Sequence, residues 1–108
     1  MTWDSLKEGQ RRIVEIIEAL PFGRIEGLSV RDGLPCYDQA PRIVQDIKLG
    51  SELEPQPPRA RPDLTLKKEF ESLFDLLRDV RDGTVDIETR HSLPFRLTVC
   101  RGLGEFVP

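Results

Sequence analysis

Two short stretches of the chain share one pattern and stand nearly sixty positions apart. The first reads VRDGLPCYD over residues 30–38, and the second reads TRHSLPFRL over residues 89–97. A strand-like run precedes each stretch, and a segment with apolar residues at helical spacing precedes each run. One helix with two strands cannot bury its apolar face alone, whereas two such units can cover each other. The pattern therefore predicts two αββ repeats in one fold.

Each helical segment carries one apolar stripe. The first stripe consists of Trp3, Leu6, Ile13, Val14, Ile16, Ile17 and Leu20, and the second consists of Leu66, Phe70, Leu73, Phe74, Leu77 and Val80. Ser5 and Glu8 match a capping box at the start of the first helix, with Thr2 and Asp4 as alternative caps. Pro21 ends this helix, because the residue before a proline is pushed out of the α region.

The second helix has boundary signals of its own. Asp63 or Thr65 can cap its start, and Gly83 stands where a left-handed residue is expected after a helix. Between the two halves, residues 51–62 read SELEPQPPRARP, with four prolines and no apolar period. This composition predicts a partly extended linker without a core of its own.

Apolar and polar residues alternate regularly in the second strand-like run but not in the first. In the second run Val85 and Ile87 alternate with Asp86 and Glu88, which predicts a strand with one buried and one wet face. In the first run the apolar residues change parity between Ile25 and Leu28. A glycine at such a slip, here Gly27, is typical of a β-bulge.

Directly paired residues of a hairpin share one face of the sheet, and a three-residue loop in each hairpin pairs the apolar residues of its two strands. Loops at 31–33 and 90–92 pair Val30 with Leu34, Leu28 with Cys36, Thr89 with Leu93, Ile87 with Phe95 and Val85 with Leu97. Gly33 and Ser92 would then take the left-handed position that such loops need. The segment YDQAP interrupts the return strand of the first half, so residues 42–50 read as a longer or broken edge strand.

Together these features predict an α+β domain over residues 1–108. The first αββ repeat spans 1–50, the Pro-rich linker spans 51–62 and the second repeat spans 63–104. We expect a four-stranded, mostly antiparallel sheet with both helices on one face. The residues expected to face the helices are Ile25, Leu28, Val30, Val85, Ile87, Phe95 and Leu97.

Composition narrows the classes of function. The net charge is −3 and the pI is near 5.2, which argues against a nucleic-acid partner. The apolar runs are too short to span a membrane. The first residues, MTWDSLKEG, lack a basic start and an apolar signal core, which predicts a cytoplasmic protein. Cys36 and Cys100 are expected to be reduced, small and mostly buried.

No pattern in the chain matches a known catalytic, metal or phosphate motif. His91 stands in a hairpin loop, where we expect a solvated residue. Asp86 and Glu88 share the wet face and could do acid–base chemistry, but a ladder of cross-strand charges is the favoured interpretation. Arg59, Arg61, Lys67 and Lys68 form the most basic cluster, and we expect it to be solvated. We therefore predict no catalytic residue, no cofactor and no metal ligand.

The stretch FGRIEGLSVRDGLPCYD resembles the YezD-like family of very small bacterial proteins. The matching positions are Phe22, Gly23, Ile25, Val30, Asp32 and Gly33. The second half keeps Gly83 and Val85 and has His91 and Ser92 in place of the Asp-Gly turn. The resemblance implies a short helix followed by a strand and a hairpin. The family has no assigned activity, so it implies no functional residue.

The sequence favours a non-enzymatic binding or regulatory module that acts through protein contacts, with another protein or with a second copy. A nucleic-acid-binding sheet face and a small enzyme or enzyme subunit are the alternatives. Modules that bind single-stranded nucleic acid need exposed aromatic residues on the sheet, and Tyr37 is the one aromatic residue expected on the wet face. The candidate partner-binding residues lie on that face or on the edge strand: Glu26, Arg31, Asp86, Glu88, Arg90, Arg96, Val44 and Ile47. Open sheet edges favour a homodimer over a monomer.

Overall fold

The computed structural model describes residues 2–50 and 67–100 of the chain. After a 3₁₀ turn at Trp3–Ser5, the helices are α1 (Glu8–Glu18) and α2 (Lys68–Val80). The strands are β1 (Phe22–Arg31), β2 (Leu34–Cys36), β3 (Arg42–Gln45), β4 (Gly83–Arg90) and β5 (Leu93–Cys100). The described part of the chain is therefore α+β, with two helices and one antiparallel sheet of five strands.

The sheet has one more strand than the sequence predicts, because its first edge is split. The strand order is β2-β1-β4-β5, and β3 also pairs with β1. Strand β2 covers the end of β1 at residues 29–31, and β3 covers its start at residues 23–26. The segment YDQAP separates the two pieces, so the broken edge strand, one of the two alternatives, is the one present, but its second piece ends at Gln45 and does not reach residue 50.

The β-bulge predicted at Gly27 is confirmed. Ile25 lies opposite Ile87, but the next paired inward residue, Leu28, lies opposite Val85, so the register shifts between them. Gly27 has a φ of 74°, a left-handed conformation that glycine adopts without strain. Its N–H donates to Oδ1 of Asp86 at 2.9 Å, which fixes the bulge to β4.

The predicted three-residue loops are wrong, because both hairpins turn over two residues. Arg31 pairs with Leu34, Val30 pairs with Pro35 and Ser29 pairs with Cys36, so Leu34 and Cys36 each lie opposite the residue that follows their predicted partner. Asp32 and Gly33 have φ values of 52° and 77°. Positive φ at both central positions is the type I′ geometry, whose twist matches that of the flanking strands.

The second hairpin has the same turn, at His91 and Ser92, with φ values of 54° and 60°. The left-handed conformations predicted for Gly33 and Ser92 are thus confirmed. The extra residue that the predicted loop would have held lies instead in β5. Thr89 pairs with Pro94 and Glu88 pairs with Arg96. Phe95 is left between them as a bulge, and Ile87 pairs with Leu97 rather than with Phe95.

The helix boundaries depart from the sequence signals. Ser5 belongs to the 3₁₀ turn and bonds reciprocally with Thr2, so it does not cap α1. The N-cap of α1 is Lys7, whose N–H donates to the side chain of Gln10 at 2.9 Å. After α2 the chain turns at Arg81 rather than at Gly83: Arg81 has a φ of 64° and a ψ of −68°, and the N–H of Asp82 donates to the carbonyl of Val80 at 2.8 Å.

Several predictions fall on residues that the structure does not describe. These are the proposed caps Asp63 and Thr65, the apolar residue Leu66 and the linker at 51–62.

One face of the sheet and the two helices form a single core. The buried apolar residues are Trp3, Leu6, Ile13, Val14, Ile17, Leu20, Ile25, Leu28, Val30, Phe70, Leu73, Phe74, Leu77, Val85 and Ile87. Six of the seven residues predicted to face the helices are buried in this core or packed against it. Phe95 is the exception and is 50% exposed, because the bulge removes it from the inward phase.

Each hairpin turn is hydrogen-bonded to the residues that follow the helix of the other half. The N–H of Gly33 donates to the carbonyl of Arg81 at 2.8 Å, and the N–H of Ser92 donates to the carbonyl of Pro21 at 3.2 Å. Thr89 adds a buried bond from its hydroxyl to the carbonyl of Leu20 at 2.9 Å. The two halves therefore hold each other at their turns as well as along β1 and β4.

We expect Gly23→Ala to lower the free energy of unfolding by roughly 2–3 kcal/mol. A Cβ at Gly23 would lie 2.1 Å from the carbonyl oxygen of Val44, so β3 must move away from β1. Urea denaturation and amide exchange of β3 measure this. The control is Gly27→Ala, which meets no atom within 4 Å and costs about 1 kcal/mol of left-handed strain alone. Equal effects of the two changes would contradict the close packing of β3.

Candidate functional site

The sheet face opposite the helices gathers most of the candidate partner-binding residues. Because side chains alternate along a strand, the residues between the buried positions of β1 and β4 point away from the core. We call this surface the outer face. It carries six of the eight candidates: Glu26, Arg31, Asp86, Glu88, Arg90 and Arg96.

The outer face is a ladder of alternating charges. Glu26 lies between Arg24 and Arg42, with N···O distances of 3.6 and 3.7 Å. Glu88 lies between Arg90 and Arg96, at 3.7 and 3.8 Å. Exposed ion pairs of this kind contribute at most about 1 kcal/mol each. The arginines can therefore exchange these carboxylates for those of a partner at little cost.

Arg31 and Asp86 have different partners. Arg31 forms an exposed ion pair with Asp38 at 3.5 Å, next to the first hairpin. Asp86 accepts the N–H of Gly27 in the bulge. The acid–base pair considered for Asp86 and Glu88 thus consists of one carboxylate that holds the bulge and one that lies between two arginines.

An aromatic cluster stands at the corner of the outer face near the second hairpin. Phe22 pairs with Arg90 across the strands, and the guanidinium of Arg90 lies 4.0 Å from the ring centroid of Phe95. Arg96 lies over the same ring at 5.6 Å. His91 stacks edge-on against Phe22, with ring centroids 4.9 Å apart. Sequence reasoning missed this cluster because it assigned Phe95 to the core.

The remaining two candidates, Val44 and Ile47, lie at the first edge of the sheet. Val44 is in β3 opposite Arg24 and is partly exposed. Ile47 follows the end of β3 and is 52% exposed. Ile43 and Leu49 are also exposed, so the segment 43–49 presents three large apolar side chains to solvent. Among the described strands, β3 is bonded to β1 alone.

Tyr37, predicted on the wet face, lies instead against α1. Its hydroxyl donates to the carbonyl of Gly9 at 2.7 Å, and Arg12 lies over its ring at 4.6 Å. Burial raises the pKa of Tyr37 to about 12, and the nearby Arg12 partly offsets this rise. Gly9 permits the contact, since a Cβ there would lie 3.2 Å from the carbonyl of Pro35.

A groove of about 230 Å³ runs between α2 and β5. It is lined by Glu69, Ser72, Leu73, Leu76, Ile87, Pro94, Phe95, Arg96 and Leu97. Leu76 is 46% exposed at its lip. The sequence pattern did not reveal this groove, because Leu76 lies outside the main stripe of α2 and Phe95 was expected to be buried.

The remaining side chains that could react or bind a metal do not cluster in the described part of the chain. Cys36 is partly buried, but Cys100 is exposed, so the prediction of a buried thiol is wrong there. Within residues 2–50 and 67–100, no group of three or more His, Cys, Asp or Glu residues could hold a metal ion. Lys67 and Lys68 are exposed at the start of α2, whereas Arg59 and Arg61 lie outside the described residues.

None of the described helices is long and apolar enough to cross a membrane. No family model, no curated protein and no solved structure matches this chain. The resemblance to the YezD-like family therefore stays a prediction.

We expect the phenol of Tyr37 to titrate near pH 12 in the folded protein, against about 10 when unfolded. Between pH 10 and pH 12 the folded state keeps the phenol proton, whereas the unfolded state loses it. The free energy of unfolding is therefore unaffected by this group below pH 10 and falls as the pH rises from 10 toward 12. Tyr37 is the single tyrosine of the chain, so tyrosinate absorbance reports on it alone.

The control for this titration is Tyr37→Phe. This variant should lose about 1 kcal/mol of stability with the bond to Gly9, and it should lose the part of the pH dependence due to the phenol. A midpoint near 10 in the folded protein would show that the phenol of Tyr37 is not buried against α1.

Proposed function

We propose that this chain is a non-enzymatic binding module built from two αββ repeats, which acts through protein–protein contacts. The paired central strands support the duplication. Shifting residue numbers by sixty before the bulge and by fifty-nine after it maps the pair Ile25–Ile87 onto the pair Val85–Leu28, and both pairs are present. The same shift maps the bond from Gly33 to Arg81 onto the bond from Ser92 to Pro21.

The observation that carries the proposed binding function is the exposed edge at β3. Three of the six exposed large apolar residues in the described part of the chain lie within residues 43–49. An edge strand with unpaired backbone groups and exposed apolar side chains is a template for another strand. The arginines and carboxylates of the outer face then give the contact its orientation, because complementary charges set register more than affinity.

A second copy of the chain is the simplest partner for this edge. Antiparallel pairing of two β3 edges would join the sheets across a twofold axis, which is the commonest symmetry of soluble oligomers. Ile47 from each copy would then lose its exposure to water. We therefore propose a homodimer that pairs at residues 42–49.

We expect Ile47→Lys, alone and with Val44→Lys, to shift the protein from dimer to monomer, because lysine opposes apolar pairing at an edge. Sedimentation velocity measures the mass, and circular dichroism checks that the fold is kept. The matched control is Thr98→Lys at the exposed face of β5, which should leave the mass unchanged. A wild-type monomer, or a dimer that survives both changes, would contradict pairing at β3.

A second candidate function is the binding of single-stranded nucleic acid to the outer face. The observation that favours it is the cluster of Phe22, Arg90 and Phe95, since modules that bind single strands stack bases on exposed aromatic rings beside arginines. The carboxylates of Glu26, Asp86 and Glu88 on the same face oppose it. The proposal of protein contacts therefore takes precedence.

A gel shift with mixed RNA and DNA oligonucleotides at low salt distinguishes the two candidates. Nucleic-acid binding would weaken steeply as salt rises, and Phe95→Ala would weaken it further because a stacking ring is lost. Leu76→Ala, an exposed apolar residue on α2, is the control and should have no effect. We expect no gel shift with the wild-type chain, with Phe95→Ala or with Leu76→Ala.

A further inference from the structure

The free edge of β3 offers a defined set of backbone groups to a partner strand. The N–H of Asp46 donates to the carbonyl of Phe22 at 2.8 Å, so Asp46 bonds to β1. Because alternate residues of an antiparallel strand bond to opposite sides, Val44 also bonds to β1, whereas Ile43 and Gln45 direct their N–H and C=O groups away from it. Among the described strands β3 pairs with β1 alone, so these outward groups are available to a second chain.

The side chains of β3 face two different surroundings. Ile43 lies opposite the buried Ile25, so its side chain is on the helix side of the sheet. Side chains alternate along a strand, and the bond of Asp46 to β1 extends this alternation past the end of β3. Ile47 therefore lies on the helix side with Ile43, and Arg42 and Asp46 lie on the outer face. A partner strand meets apolar side chains on one face and charges on the other.

The charges of β3 are arranged symmetrically about Val44. Arg42 precedes Val44 by two residues, and Asp46 follows it by two. A twofold axis through Val44, perpendicular to the sheet, makes two β3 strands antiparallel. Arg42 of each copy then lies directly opposite Asp46 of the other copy, where opposite charges stabilise the pairing. The outer face thus gains two ion pairs, one on either side of a contact between the two Val44 side chains.

The neighbouring registers lack this complementarity. A shift of two residues is the smallest that keeps both apolar faces together. Shifted one way, Arg42 lies opposite Lys48 of the second copy, and Val44 lies opposite Asp46. Shifted the other way, Arg42 lies opposite Val44, and Asp46 lies opposite Ala40. The first register places like charges together and the second places no opposite charges face to face, so charge selects the axis through Val44.

The axis through Val44 also brings an apolar side chain to the groove beside α1. This groove has a volume of about 170 Å³, and its lining includes Ile16 of α1 with Pro41 and Ile43. Ile47 of the second copy lies directly opposite Pro41 and diagonally opposite Ile43, within reach of a long side chain. Ile47 is 52% exposed in the single chain, so its entry into the groove removes apolar surface from water.

We infer that a second copy pairs with β3 in this one register, with two Arg42–Asp46 ion pairs on the outer face and Ile47 of each copy in the groove beside α1 of the other. This inference rests on the proposed homodimer, and it assigns the register of the two strands, the charges that set this register and the occupant of the groove.

Disulfide trapping tests the register. In a chain with Cys36→Ser and Cys100→Ser, single cysteines are placed by Ile43→Cys, Val44→Cys and Gln45→Cys. The two copies of position 44 face each other across the axis as a pair without mutual hydrogen bonds, with Cα atoms about 4.5 Å apart. The two copies of position 43, and those of 45, are offset by two residues and lie beyond the roughly 7 Å that a disulfide spans. On a non-reducing gel, only Val44→Cys should give a covalent dimer after incubation with oxidised glutathione.

Charge reversal tests the contacts that set the register. Arg42→Asp and Asp46→Arg should each raise the dissociation constant of the dimer about tenfold, because two ion pairs become two like-charge contacts. When the two variants are mixed, opposite charges meet at both contacts, so a heterodimer should form with about the wild-type dissociation constant. Sedimentation velocity measures each variant and the mixture. The matched control is Arg78→Asp on α2, which also removes one exposed ion pair, with Asp75, and should leave the dimer unchanged.

The heterodimer also tests the groove, because its two chains can be labelled differently. With ¹³C-labelled isoleucine methyl groups in one chain only, an isotope-filtered NOE experiment detects contacts between the chains. We expect contacts from the methyl groups of Ile47 to Pro41 of the other chain. Ile47→Ala should raise the dissociation constant about tenfold, because this apolar contact is lost. Leu76→Ala, which truncates a similarly exposed residue on α2, is the control and should have no effect.

Three results would overturn the inference while the wild-type chain is still a dimer. These are a covalent dimer through position 43 or 45 in place of 44, a mixture of the reversed variants that forms no heterodimer, and no contact between Ile47 and the groove. A wild-type monomer in sedimentation velocity would leave the edge to a strand of another protein. That result would contradict the proposed homodimer itself and this register with it, so the two failures are distinguishable.

Discussion

The pairing of β1 with β4 is the constraint on which the rest of the structure depends. These two strands form the centre of the sheet, and Ile25, Leu28, Val85 and Ile87 on their inner faces are fully buried. A one-residue slip would turn the inward residues of a strand toward water. The bulge at Gly27 prevents this, because it absorbs the extra residue of β1 and is bonded to Asp86 on β4.

The turns extend this coupling to the helices, with a difference between the halves. Gly33 lies so close to α2 that a Cβ would stand 3.0 Å from the Cα of Arg78, and glycine fits there. Ser92 occupies the corresponding place in the second turn. Its hydroxyl is buried and has no hydrogen-bond partner in the described part of the chain. Burying such a group costs about 1–3 kcal/mol, so the second turn is the less stable of the two.

The sequence predicts what depends on periodicity and misses what depends on contacts between distant segments. The bulge at Gly27 and the buried Ile25 and Val30 follow from parity along one strand. Leu97 lies on the buried face either with a three-residue loop or with a two-residue turn followed by a bulge. The alternation of apolar and polar residues therefore cannot distinguish the two hairpins. For this reason Phe95 was wrongly predicted to be buried. Tyr37 leaves the sheet for α1, where its hydroxyl donates to the carbonyl of Gly9, twenty-eight positions away, and a pattern along one strand cannot reveal this contact.

The two sheet edges differ because the chain leaves the sheet partway along the first edge and stays in it along the second. In the first half the segment YDQAP leaves the sheet and Tyr37 bonds to Gly9 of α1, so the edge is split into strands of three and four residues. In the second half β5 keeps eight residues in one strand, and the groove beside α2 is left open among the described residues. The first edge is thereby joined to α1 through Tyr37, whereas the second edge keeps one longer strand, whose bulge places Phe95 at the lip of the groove beside α2.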